Sequence, residues 1–306
     1  MCCVLENSLF LQRQKKCIRK KLFVLAVVVL CSTLFFNSCS KDNDKVSLTK
    51  ERNINVCVNF NKEKNLNSSN WLSFNSCEDY ERAIAFLNEK EGYLSLFEQD
   101  LHFSSMRCVL SESQREAIGV EDDILATLLN PDGFIQIDNF VFQIDIVNEK
   151  AYVWDTNNDN EMMTFSIDDN VLDILFKNEE PIKNVISYSN PEPYTFPSSP
   201  EAKCKVVYQR AAVYFSLLSK INKPGVISAP EVEIYYSTDS GTYTRNRSNA
   251  TQQTFPAQSD GGDGNNYHYR PYSAAVGLKQ FYMSTFFNCI DYFPYYSDGV
   301  RITVSK

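Results

Sequence analysis

The spacing of the apolar residues changes once along this chain, at the turn formed by Pro131-Asp132-Gly133. Before the turn, apolar residues recur three or four places apart, at Tyr80, Ala83, Ile84 and Leu87. That spacing places them on one face of a helix. After the turn, apolar and polar residues alternate from Phe140 to Ile146, as in a strand with one buried face. The change predicts an α+β fold: helices and an antiparallel β-meander, followed by a mostly antiparallel, sandwich-like β domain.

Local signals define three helices. Ser76 is placed to cap a first helix that ends before Gly92. A second, short helix is predicted from Leu94 to Asp100. The acidic run 121–123 predicts the start of a third, from Ile124 to Asn130, because negative side chains stabilise helix N-termini.

The alternating segments predict two groups of strands. The first is a three-stranded meander over 135–137, 140–146 and 152–154. In the second group, β-branched and aromatic residues favour one long strand from Lys205 to Ile221, although a helical stripe also fits this segment. The remaining strands are predicted over 232–236, 242–245, 278–287 and 300–304.

Four of the 11 prolines, Pro191, Pro193, Pro197 and Pro200, lie close together. Such a stretch sustains neither a helix nor a central strand, so we place a domain boundary there. The predicted organisation is a lipoprotein signal peptide (1–38), a polar tether (39–55), an α+β domain (56–190), a Pro-rich linker (191–200) and a β-rich domain (201–306).

The N-terminal segment has the order of an export signal. Basic residues ending at Lys21 precede an uncharged run from Leu22 to Phe36. As a helix this run is about 22 Å long, short of the roughly 30 Å hydrocarbon core, so a removable signal is favoured over a permanent membrane helix. Ser38-Cys39 follows, and this end resembles a lipobox, although Phe36 and Asn37 depart from its commonest form.

The resemblance to a lipobox implies cleavage before Cys39 and lipid attachment to that cysteine. Several acyl chains then anchor the protein, since one chain alone binds membranes only marginally. The acidic segment 40–44 resembles the export tag of Bacteroidetes lipoproteins displayed on the outer membrane, and a plain solvated tether has the same composition. We therefore expect an exported, surface-exposed outer-membrane lipoprotein.

The charge balance argues against nucleic acid as a partner. Six of the 30 basic residues and one of the 38 acidic residues precede Cys39, which leaves 24 positive and 37 negative charges after it. A chain this acidic repels phosphate backbones. The predicted partners are the membrane, through the lipid anchor, and a glycan or protein ligand.

Five cysteines follow Cys39: Cys57, Cys77, Cys108, Cys204 and Cys289. Their spacing contains no CxxC motif, and an odd number leaves at least one thiol unpaired in a monomer. Buried free thiols are favoured, with one oxidised pair as the alternative in an exported chain.

The sequence contains no recognisable catalytic or cofactor motif. Zinc helices, phosphate-binding glycine loops and nucleophile elbows are absent, and the two histidines, His102 and His268, lie in no triad spacing. Residues 155–159 match the first spacings of a calcium loop, but Asn160 and Ser166 replace its glycine and glutamate, which favours a polar turn. No cofactor, metal ion or catalytic residue is predicted.

One group of residues is a candidate ligand site. Tyr267, Tyr269, Arg270 and Tyr272 follow a glycine-rich loop, and Pro271 interrupts regular pairing. We expect this stretch to run over the surface, where tyrosines present flat apolar faces with a polar tip to a ligand. Packing in the core is the alternative.

Two longer runs carry a family resemblance. LLNPDGFIQIDNFVFQI (Leu128 to Ile144) and KVVYQRAAVYFSLLSKI (Lys205 to Ile221) are similar to segments of an uncharacterised group of Bacteroidetes surface lipoproteins. The resemblance implies location and fold, and no activity. We expect a surface-tethered binding or adhesion module. The alternatives are a structural subunit of a fimbria-like assembly and a lipid-anchored hydrolase.

Overall fold

The computed structural model describes residues 52–59, 70–90, 92–158, 161–177, 188–223, 232–292 and 295–306. These residues all belong to one compact unit, Ser47–Lys306. The signal peptide, Cys39 and the acidic segment 40–44 lie outside the described residues. The helices are α1 (Cys77–Glu89), α2 (Gly92–Leu101), α3 (Met106–Val109), α4 (Glu112–Ala117), α5 (Asp123–Leu128) and α6 (Val171–Lys177).

The first sheet has six strands in chain order. They are β1 (Val56–Asn59), β2 (Trp71–Phe74), β3 (Phe134–Ile137), β4 (Phe140–Asp145), β5 (Lys150–Asp155) and β6 (Met162–Ser166). The pairing is antiparallel except between β2 and β3, which run parallel because helices α1 to α5 connect them. The predicted meander is confirmed as β3, β4 and β5, and β6 extends it.

Caps confirm the predicted N-termini of the first and third helices, whereas the second begins at Gly92, two residues before the predicted Leu94. The Ser76 hydroxyl accepts a hydrogen bond from the Asp79 amide at 3.1 Å, and α1 begins at Cys77, directly after Ser76. The Asp122 carboxylate accepts from the Ile124 amide at 2.8 Å, at the start of α5. Each side chain satisfies an amide that has no partner within its helix.

A first core lies between these helices and one face of the first sheet. Alternate strand residues such as Phe74, Ile135, Phe142 and Val153 are fully buried in it, together with the apolar face of α1. Because side chains alternate across a strand, the residues between them lie on the opposite face.

The second half of the chain forms two further sheets. One, in the order β14-β9-β8-β7, contains β7 (Tyr194–Phe196), β8 (Ser199–Arg210), β9 (Phe215–Asn222) and β14 (Asn266–Ala274). The other contains β10 (Val232–Thr238), β11 (Gly241–Arg245), β12 (Gln253–Phe255), β13 (Gln258–Gly262), β15 (Leu278–Tyr292) and β16 (Tyr295–Ser305). A second core, with members from both sheets, lies between them.

The long strand predicted from Lys205 to Ile221 is wrong. The segment is a hairpin of β8 and β9, in which Arg210 pairs with Phe215. The chain reverses at Ala212, whose φ of 60° lies in the left-handed region that alanine seldom adopts. Contacts with the first half hold this turn: Ala212 donates to the Ile167 carbonyl at 2.8 Å, and residues 211–214 are buried in the first core.

The proline-rich segment 191–200 contributes to a sheet. β7 lies at the sheet edge and pairs with β8 on one side, where a proline-rich strand is tolerated. Most members of the two cores lie within the predicted domain ranges, and the exceptions are Ile54, Phe196, residues 211–214 and Ala275. The domain division itself stays a prediction. The chain as described is mostly β, with few helices and several antiparallel sheets.

Candidate functional site

A row of three aromatic rings lies on the outer face of the first sheet. Trp71 on β2, Phe134 on β3 and Trp154 on β5 occupy strand positions that alternate with fully buried residues. The ring centroids of Trp71 and Phe134 are 5.9 Å apart, and those of Phe134 and Trp154 are 6.2 Å apart. The interplanar angles are 32° and 30°, so neighbouring rings are tilted against each other within one contiguous aromatic cluster.

Strand register explains how these rings meet. In the parallel pairing of β2 with β3, Ser73 lies opposite Gln136. Trp71 and Phe134 each lie two places earlier on their strands, so they are side by side. On the far side, Val141 of β4 pairs with Trp154. Phe134 and Trp154 therefore approach each other across β4, whose own side chains on this face are shorter.

An amide holds the first ring in place. The side-chain oxygen Oε1 of Gln136 accepts hydrogen bonds from the Trp71 indole N–H at 3.4 Å and from the Asn59 side-chain Nδ2 at 3.1 Å. The side-chain Nε2 of Gln136 in turn donates to the backbone carbonyl oxygen of Asp138 at 2.9 Å. This chain of hydrogen bonds fixes the orientation of the Trp71 indole.

The surroundings of the row are polar but carry little charge. Ser73, Gln136, Val141, Gln143 and Tyr152 share the face with the rings, and all are half-buried. The oppositely charged residues Asp145 and Lys150 lie at one end, where β4 turns into β5. A flat aromatic surface bordered by amides and hydroxyls suits a neutral ligand with many hydroxyl groups.

The tyrosines predicted as a ligand site lie on a strand. The expected irregular surface run is wrong, because residues 266–274 form the edge strand β14, with a register shift between Tyr269 and Tyr272 where Pro271 cannot donate. Tyr272 is 3% exposed and its hydroxyl donates to the Val276 carbonyl. Tyr267 and Tyr269 are half-buried against the second core. Their contact with a ligand stays a prediction.

Arg270 has a structural partner. Its Nε donates to the Asp122 carboxylate at 2.7 Å, and both side chains are buried. Burial alone would raise the pKa of Asp122, but the Arg270 charge and hydrogen bonds from Arg270, Ser216 and the Ile124 amide hold it below its ordinary value. The Tyr214 hydroxyl also donates to Asp122, at 3.0 Å. The arrangement ties β14 and β9 to the start of α5.

Beside this pair, acidic residues of α4 and its flanks face lysines of the sheet. Lys220 donates to Glu112 at 2.7 Å and lies 2.8 Å from Glu116, while Lys205 bridges Glu116 and Glu121. Burial opposes the charge on Lys220, but the glutamates outweigh it and raise its pKa. The two lysines compensate two of the three glutamate charges. Glu112, Glu121 and Lys220 of this group line a small cavity together with Tyr267, His268 and Arg270.

The other candidate positions have local roles. His102 follows the end of α2 with a φ of 50°, a capping position. The Asp155 carboxylate accepts hydrogen bonds from the Asn157 amide and the side chains of Asn139 and Asn158, as a polar turn requires. Residues 159 and 160 lie outside the described residues. Within the described ranges, no group of three or more acidic, histidine or cysteine side chains could hold a metal ion.

Sequence inspection missed the aromatic row and the ion pairs because the residues that form them are distant in the chain. Trp71 and Trp154 are the only tryptophans, and each lies on the polar side of an alternating strand. That placement is the one local signal that could have indicated the row. Among the described residues, none of the helices has the length and apolar character needed to cross a bilayer.

No protein-family model matches the chain, and no curated protein is similar to it. Among solved structures, a DUF4848 family protein from Bacteroides thetaiotaomicron is similar at 10% sequence identity and a TM-score of 0.18. The match covers 76% of this chain and 97% of that one. The resemblance to a group of Bacteroidetes surface lipoproteins stays a prediction.

Proposed function

We propose that this chain is an exported lipoprotein, anchored through lipid on Cys39, that binds a neutral glycan on the outer face of its first sheet. The observation that supports the proposal is the row formed by Trp71, Phe134 and Trp154. The proposal includes the α+β class, with a helix-covered first sheet and a sandwich-like second half, and display on the outer membrane.

The chemistry of the row favours a sugar chain as the ligand. One face of a pyranose ring carries C–H groups that pack on an aromatic ring, and its hydroxyls reach outward to polar neighbours. Three adjacent rings offer such a surface to successive sugars. Gln143 borders it with an amide donor and acceptor, and Gln136 with the one N–H that its bonds to Trp71, Asn59 and Asp138 leave over. Burying flat rings against an apolar face, with polar groups fixing orientation, is how small-molecule sites obtain both affinity and specificity.

Charge favours a neutral glycan over an acidic one. The chain after Cys39 carries 13 more acidic than basic residues, given 24 positive and 37 negative groups. Basic side chains that would compensate a uronic acid or a sulfate are absent from the described middle of this face, where Ser73, Gln136, Val141 and Gln143 lie. An anionic polymer would therefore lose hydration without gaining an ion pair.

Tryptophan emission tests the proposal without a label, because the two tryptophans of the chain both lie in the row. The full-length protein in detergent is titrated with neutral xylo-, manno-, cello- and malto-oligosaccharides, and with oligogalacturonate as the charged comparison. We expect a saturable change in emission with at least one neutral series and none with the charged one.

Variants separate the row from the rest of the surface. Phe134→Ala keeps both tryptophans as reporters and should weaken binding about tenfold, the effect of losing about 1.4 kcal/mol at an interface hot spot. Tyr295→Ala is the matched control, since Tyr295 is an aromatic residue with 73% exposure on a different sheet. Equal weakening in both variants, or no response to any neutral series, would contradict the proposal.

A structural subunit remains the second candidate, and β16 is the feature that favours it. This long strand lies at a sheet edge, where β15 is its partner among the described strands. An open edge can add a strand from a second copy. Size-exclusion chromatography with light scattering distinguishes the two, because a subunit should form concentration-dependent oligomers and a glycan receptor should not require them.

A further inference from the structure

Two cysteines enter the second core from opposite sheets. Cys204 lies on β8 and Cys289 on β15, with exposures of 1% and 0%. Both belong to the same buried cluster, and β8 and β15 pack directly against each other. The two thiols therefore share one apolar core, although their strands belong to different sheets.

The strand neighbours of the two cysteines also meet. Cys289 pairs with Asp298 of β16, and β16 packs against β8, the strand that carries Cys204. Burial, and after it the charge of Cys289, raise the pKa of the Cys204 thiol to about 12. Each thiol thus has the strand of the other as its neighbour.

We propose that Cys204 and Cys289 form a disulfide bond that joins the two sheets of the second half. The proposal rests on the export proposed above, because disulfides persist outside the reducing cytosol. Cys57, Cys77 and Cys108 lie on β1, α1 and α3, in the first half of the chain, and none belongs to the second core. Cys204 and Cys289 are therefore the only described cysteines in the second core.

The chemistry requires an external oxidant. The two thiols lose two protons and two electrons as the sulfur–sulfur bond forms, and a disulfide of a thiol–disulfide oxidoreductase, or glutathione disulfide, is reduced to two thiols. Attack proceeds through a thiolate. Since burial suppresses the thiolate in the folded protein, the bond forms while the exported chain is still unfolded.

The test uses the full-length chain in detergent, unfolded in guanidinium chloride and refolded either with glutathione disulfide or with a reductant. Non-reducing digestion and mass spectrometry then identify linked peptides. We expect a Cys204–Cys289 link after oxidative refolding and a melting temperature roughly 10 °C above that of the reduced chain, since the bond closes a long loop. The triple variant Cys57→Ser, Cys77→Ser, Cys108→Ser should keep both properties.

Cys289→Ser should lose the link and melt near the reduced chain. Two free thiols at 204 and 289 after oxidative refolding of the unsubstituted chain, or a link to another cysteine, would overturn the proposal. The same digestion, applied to protein isolated from cells, tests export separately. A link in the refolded and in the cellular protein supports both the disulfide and export. A link in the refolded protein alone supports the disulfide and contradicts export.

Discussion

Arg270 and Asp122 form a buried ion pair with an Nε to Oδ2 distance of 2.7 Å, although 148 positions separate them in the chain. Asp122 caps α5 and Arg270 lies on β14, so the pair joins the helical layer to a sheet of the second half. Removing one member leaves a buried charge without compensation.

The first prediction concerns this pair. Arg270→Met should lower the free energy of unfolding by about 3–5 kcal/mol, because Asp122 then stays buried and ionised without its counter-ion. Arg301→Met is the control, since Arg301 and Asp239 are about half exposed and an exposed pair contributes about 1 kcal/mol or less. Urea denaturation of both variants measures the difference, and equal losses would argue against a structural role for the buried pair.

The second prediction is a dependence on pH. The Arg270 charge and several hydrogen bonds outweigh burial and lower the pKa of Asp122 in the folded protein. A lowered carboxyl pKa contributes stability that is fully present above the unfolded value near 3.9 and is lost as pH falls through the folded value. Asp122→Asn should therefore destabilise the chain most at neutral pH.

The difference in unfolding free energy between Asp122→Asn and the unsubstituted chain should narrow as pH falls below about 4. There the unfolded Asp122 takes up a proton while the folded one stays ionised, and the difference should be smallest below the folded pKa, where both states are protonated. Urea denaturation at pH 7, 5, 4 and 3 gives the profile. A constant difference across this range would mean that Asp122 contributes through packing alone.

How much of this molecule follows from its sequence depends on the distance between interacting residues. The Ser76 cap and the meander over β3 to β5 are local, so spacing and turn residues predict them. Residues 211–214 contain no glycine, proline or asparagine that would predict the reversal at Ala212. A hydrogen bond to Ile167, distant in the chain, stabilises this turn. The aromatic row depends on the parallel register of β2 with β3, which no local pattern encodes.

The third prediction uses two glycines as a pair. Gly133 has a φ of 81°, and a Cβ there would lie 2.7 Å from the Ile144 carbonyl oxygen. Gly133→Ala should lower the free energy of unfolding by more than about 1 kcal/mol, because the backbone conformation is unfavourable to alanine and the neighbouring atom belongs to the main chain.

Gly92→Ala is the opposite case. Gly92 begins α2, and a Cβ at this position would meet no atom of the described residues within 4 Å beyond its own stretch of helix. Alanine should therefore leave stability unchanged or raise it by a few tenths to about 1 kcal/mol. Thermal unfolding followed by circular dichroism compares the two variants. A similar loss in both would show that neither the close carbonyl nor the positive φ decides the outcome.

The fourth prediction concerns the anchor. Cys39→Ser should abolish incorporation of labelled fatty acid and release the chain from the membrane fraction, because the sulfur is the proposed attachment atom. Fractionation with a phase-partitioning detergent measures the release, and the label measures the lipid. Membrane retention of the variant would instead indicate that the apolar run from Leu22 to Phe36 stays in the protein as an anchor.

The parallel pairing of β2 with β3 also imposes an order on assembly. An exported chain emerges with β1 and β2 ahead of α1 to α5, and β3 follows only after that whole helical layer. The meander from β3 to β6 can form through short turns. The β1–β2 hairpin, in contrast, keeps the edge of β2 unpaired until β3 has emerged. On the proposed export route, secretion from the N-terminus exposes this hairpin longest to wrong partners, which makes it the segment where a chaperone would have the most effect.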